Sequence, residues 1–125
     1  MLGMKEGVLM SYFEVGKVSR FFEENESIMP YKALKMAILM AKEVHREMKV
    51  FRKECFAYSV AVSCYRVGGY NKSKRIQFEH PCDDLALLEK LVADCFEMHV
   101  KKGIPVNSIY VAAEGVHSVE FGVFL

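Results

Sequence analysis

A chain of 125 residues with a hydrophobic share of 52% has the length of one domain and enough apolar content for one core, which excludes a disordered tail. A formal net charge of +1 excludes binding driven by the field of the whole chain, so a site for a polyanion must come from local clustering of cations. Residues 1–5 lack the apolar run of a signal peptide, and no stretch approaches the roughly 20 apolar residues of a membrane span; the expectation is a cytoplasmic domain with no membrane partner. The four cysteines, Cys55, Cys64, Cys82 and Cys95, form no CxxC and show no metal-finger spacing. They read as reduced thiols, three of them in the core.

Residues 1–28 form a segment of their own ahead of a domain at 29–125. Residues 8–13 and 17–22 each read as a strand, or one of them as a leading helix; Gly16 separates them, and an acidic run at 23–27 closes the segment. An edge strand near 16–22 is expected. Pro30 suits the first turn of a helix, because its missing N–H would have no intrahelical acceptor there. The helix should run to about Arg52 and bury Leu34, Ala37, Ile38, Ala41, Val44, Met48 and Phe51, which recur at spacings of three and four, with Met36, Met40 and His45 beside that stripe.

The stretch 55–78 carries the clearest pattern. Phe56, Tyr58, Val60, Val62 and Cys64 alternate with the small residues Ala57, Ser59, Ala61 and Ser63, the period of a half-buried strand. Gly68 and Gly69 supply a reversal, and residues 71–78 return as a second strand with Ile76 and Phe78 turned inward. The predicted second helix starts after Pro81, with Asp83 as its cap, and presents Leu85, Leu88, Leu91, Val92, Cys95, Phe96 and His99 on one side. Lys101, Lys102 and Gly103 mark its end. A last alternating strand spans 107–113, Glu114 and Gly115 turn the chain, and 119–124 reads as a further strand or part of a tail. The fold class is α+β: a single four-stranded, mostly antiparallel sheet in the order β-α-β-β-α-β, two helices on one face, the other face open.

Chemistry is sparse. Adjacent Asp83 and Asp84 fit helix capping better than magnesium, and no separated acids converge as phosphoryl transfer requires. His45, His80, His99 and His117 are scattered, and Gly68-Gly69 is too short to cradle phosphates. No catalytic residue, metal or cofactor is expected. What remains is a cluster of cations, Arg66, Lys72, Lys74 and Arg75, around the hairpin, beside a face of small hydroxyl and methyl groups that a phosphate backbone could approach.

Three stretches carry a family resemblance: residues 41–48 (AKEVHREM), residues 69–78 (GYNKSKRIQF), and Pro81-Cys82-Asp83-Asp84 with the later residues 105–111 (PVNSIYV). In order and spacing they resemble the C-terminal little finger domain of Y-family translesion DNA polymerases, the ImpB/MucB/SamB (UmuC-like) group. The resemblance implies a module that touches phosphates of template–primer DNA during damage bypass, with contacts on Ser63, Lys72, Ser73, Lys74, Arg75 and Ser108. It also implies palm and thumb domains as partners, with a sliding clamp as a further candidate through residues 119–125, although the glutamine of a clamp-binding peptide is missing. The family often has a basic residue where this chain has Asn107 and Ser108, which would weaken the grip of the last strand. Without palm carboxylates this chain has no polymerase site of its own. Two rival readings stand beside this one: an interaction or oligomerisation module using its open face or edge strand, and a small-molecule enzyme, for which no convergent acid, base or nucleophile is present.

Overall fold

The computed structural model describes residues 8–14, 17–23, 28–64 and 70–124. In chain order these form β1 (Val8–Glu14), β2 (Lys17–Glu23), α1 (Pro30–Val50), β3 (Ala57–Cys64), β4 (Tyr70–Gln77), α2 (Leu85–Lys102), β5 (Ser108–Glu114) and β6 (Ser118–Phe124). The predicted reversal at Gly68-Gly69, with Tyr65 and Arg66, and most of the acidic run, 24–27, lie outside the described residues.

The class is the expected one, α+β with two helices against a single, mostly antiparallel sheet. Strand order is β1-β2-β6-β5-β3-β4. The block β6-β5-β3-β4 is antiparallel throughout and carries the helices. A parallel pairing of β2 to β6 then widens the sheet to six strands, and β1 closes that side as the outermost strand. The segment around 16–22 is a strand, as expected, but it is the second from the edge. Just ahead of α1, an isolated bridge joins Ile28 to Val106 before the start of β5, with N–H···O distances of 3.0 and 2.8 Å. Beyond that bridge β6 occupies the edge of β5 and holds β2 one strand further out.

Alternation along β3 works as read from the sequence. Tyr58, Val60, Val62 and Cys64 are buried, while Ser59, Ala61 and Ser63 are half-exposed. From β5 and β6, Ile109, Val111, Val119, Phe121 and Val123 complete the apolar floor. On it lie Leu88, Leu91, Val92, Cys95 and Phe96 of α2 and Ala33, Met36, Ala37, Met40, Ala41, Val44 and Met48 of α1. Burial of one such large side chain stabilises by about 1.5–3 kcal/mol, which is what fixes the helices to this face.

The buried stripe of α1 is rotated from the expected one. Met36 and Met40 lie in the core, Leu34 and Ile38 are only partly buried, and Phe51 is 49% exposed. Spacings of three and four fit either phase here, because apolar residues occur on both sides of the stripe. The unbranched methionines fill the irregular space above β5 and β6 better than branched chains would. At the start of α2 the cap is Asp84 and not Asp83: Leu87 N–H donates to Asp84 Oδ1 at 3.1 Å. Asp83 is taken by the other helix, hydrogen-bonded to His45 and 3.9 Å from Lys49 Nζ.

Both helices end in the same six-residue closure. In α2, Gly103 takes a left-handed φ of 65°, and Ile104 N–H donates back to His99 O at 2.9 Å. In α1 the left-handed position is held by Arg52, φ 52°, and Lys53 N–H donates to Met48 O at 2.9 Å.

A candidate nucleic-acid interface at the sheet edge

Register decides which of the expected contact residues meet. β3 pairs Ser63 with Asn71 on one side and with Ser108 on the other; the next open-face row is Ser73, Ala61, Tyr110, and the next Arg75, Ser59, Ala112. Strands lie about 4.8 Å apart, so Ser63 and Ser108 are immediate neighbours on the open face. The structure thus brings Ser63, Ser73 and Ser108 to one patch with Arg75 nearby. It does not bring the lysines there. On a strand, successive side chains leave opposite faces, so Lys72 and Lys74 project toward the helix side. Lys74 Nζ lies 3.9 Å from Asp94 of α2, and Lys72 Nζ lies 5.7 Å from the Tyr70 ring centroid. Arg66 is outside the described residues.

The open face is also less basic than the sequence led one to expect. Glu114, at the end of β5, and Glu120, on β6, share this face with Arg75. Arg75 Nε donates to Glu114 Oε2 at 3.1 Å, and an Nη donates to Gln77 Oε1 at 3.1 Å. Ser59 donates its hydroxyl to the same Glu114 carboxylate, and the Tyr110 hydroxyl donates to Glu120 Oε2 at 2.7 Å. Burial works to raise the Glu114 carboxyl, but the hydrogen bonds from Ser59 and Arg75 and the Arg75 charge outweigh it, so its pKa lies below the ordinary value. Two carboxylates against one guanidinium leave the centre of this face unfavourable to phosphate. Glu114 was legible in the sequence, since it continues the parity of Ser108, Tyr110 and Ala112; a strand ended at Ala113 leaves it out.

Cations remain accessible at the edge. β4 ends the strand order, and Asn71, Lys72, Ser73, Lys74 and Arg75 are exposed in succession. A negative chain running along this strand meets lysines on its helix side, serine and arginine on its open side, and the strand's outward backbone groups between them. The underside of the strand is fixed: Tyr70 packs edge-on against the buried His99 ring at 4.8 Å, and Tyr58 likewise against Phe78 at 5.2 Å. No protein-family model matches this chain, and no curated protein or solved structure gives a significant match. Among the described residues no three metal-ligating side chains converge, and no helix is long and apolar enough to cross a membrane.

Proposed function

We propose that this chain is a DNA-backbone-contacting module of the little-finger kind, acting beside the catalytic domains of a Y-family translesion polymerase. The observation that carries the reading is β4: an edge strand with five successive exposed residues, three of them cationic. The cationic edge, the neighbouring Ser63 and Ser108, and the two helices gathered on the opposite face support it. Because Glu114 and Glu120 occupy the open face, the DNA would lie along the β4 edge and not across the sheet. Such contacts position a duplex through its phosphates and carry no sequence preference.

Binding of a fluorescent primer–template duplex at several salt concentrations tests this. Affinity should fall linearly on a log–log salt plot and equally for unrelated sequences. Lys72→Gln with Lys74→Gln should make that slope shallower by about 2, one unit for each phosphate no longer neutralised. An unchanged slope in the double variant would remove β4 from the interface.

The same edge favours one alternative, addition of an acidic extended segment as a further strand on β4. Sedimentation of the chain with duplex, and of the chain alone, separates the two: strand addition between protein chains shows as a heavier protein species without DNA.

A further inference from the structure

Where β3 begins and β5 ends, the C-terminal end of α1 frames a cavity of about 240 Å³. Its inner wall is apolar and buried: Met48, Cys55, the Tyr58 ring and Ala113. Its rim is His45, Lys49, Arg52, Lys53 and Asp83, with Cys82 beside them. The charges do not cancel. Asp83 is engaged by His45 and Lys49, whereas Arg52 and Lys53 have no acidic partner among the described residues. One residue of the wall, Tyr58, carries a polar group. The Tyr58 hydroxyl accepts the Asp84 N–H at 3.1 Å, and among the described residues its proton meets no acceptor. Burial pushes this phenol up to about 12, so it stays protonated and able to donate.

A second observation points to the same place. Arg52 holds the left-handed conformation that closes α1, at φ 52°, where a helix end ordinarily has glycine, as α2 does with Gly103. Residues held in this conformation cluster at ligand-binding and functional sites. Here that side chain is one of the two uncompensated cations on the rim.

We propose that this cavity binds a small phosphomonoester with an apolar body, the body on Met48, Tyr58 and Ala113 and the phosphate at Arg52, Lys53 and the Tyr58 hydroxyl. Two uncompensated cations suit a doubly charged phosphate, and the apolar wall suits an aromatic or short aliphatic group. The volume lies below the roughly 300–1,000 Å³ of drug-sized ligand sites, so the occupant is small. This site does not rest on the duplex reading and shares no residue with β4.

Phenyl phosphate titrated into the isotope-labelled full chain, followed by amide NMR, tests the proposal, with phenol and inorganic phosphate as separate arms. Phenyl phosphate should shift the amides of Cys55, Tyr58, Cys82 and Ala113 and bind more tightly than either fragment. Arg52→Gly with Lys53→Gln should weaken it at least tenfold, whereas Lys72→Gln with Lys74→Gln should not. Glycine suits the left-handed turn at 52, so loss of binding there cannot be blamed on a broken helix end. The proposal is overturned by absence of shifts at those four amides in millimolar phenyl phosphate, by unchanged affinity in the Arg52/Lys53 variant, or by inorganic phosphate binding as tightly as its ester.

Discussion

Single residues set the limits of the proposed interface. Glu114 competes with any phosphate for Arg75, since it accepts from that guanidinium and from Ser59 at once. Glu114→Gln keeps the shape and removes the charge. Exposed ion pairs are worth about 0.2–1 kcal/mol, so duplex affinity should rise by a factor of roughly 1.5–5 in this variant, measured in the same salt series. A fall in affinity would mean that the Glu114 contact orients Arg75 for binding. At Gly115 the restriction is steric. A Cβ there would stand 2.2 Å from the Glu54 carbonyl oxygen, a backbone atom with nowhere to go. Gly115→Ala should therefore cost about 1–3 kcal/mol, read from the urea midpoint, although the residue is small and near the surface.

At the scale of elements, legibility in the sequence followed locality. β3 was readable because its period-two pattern is written into eight consecutive residues, Ala57–Cys64. The end of α2 was readable because cations and glycine sit together at 101–103. The phase of α1 was not, since Met36 and Met40 sit beside Leu34 and Ile38 and three-four spacing admits both stripes. Substitution separates them: Met40→Ala should cost about 2–5 kcal/mol, and Phe51→Ala no more than about 0.5 kcal/mol, in paired urea unfolding curves. Equal costs would restore the other phase. β6 escaped firm assignment because the glycine at 122 weakens a strand reading and Phe124 breaks the alternation of Val119, Phe121 and Val123. The candidate site was half legible. Composition located the cations of β4, while their division between two faces follows from strand parity, and the pairing of Lys74 with Asp94 and of Arg75 with Glu114 depends on contacts from elsewhere in the chain.

The whole molecule carries a titration built into its core. His99 is fully buried, with Nδ1 3.2 Å from the Ile104 carbonyl oxygen. Burial lowers its pKa below the ordinary 6.5; the hydrogen bonds to the 104–105 backbone oppose this and do not overcome it. The sign follows from linkage. Above 6.5 the imidazole is neutral in both folded and unfolded chains. As pH falls below 6.5 the unfolded chain takes up the proton first, so stability declines until the lowered folded value is passed. Glu114, also depressed, adds a second decline below its ordinary 4.5. Thermal midpoints should be level from neutral pH down to about 6.5 and then fall in two stages, and His99→Gln should flatten the first. A profile unchanged by that substitution would assign the upper decline to another group.

The parallel pair β2–β6 joins residues 17–23 to 118–124. On a ribosome these two strands are separated in time as well as in sequence. The β1–β2 hairpin is synthesised first, yet the strand it docks on follows some 95 residues later, an interval of roughly 5–20 s at ordinary elongation rates. Throughout that interval the outer hydrogen-bonding edge of β2 has no β6 to pair with, and nascent chains on neighbouring ribosomes offer the same edge. A chaperone that waits at the exit tunnel would find a claim on this chain there.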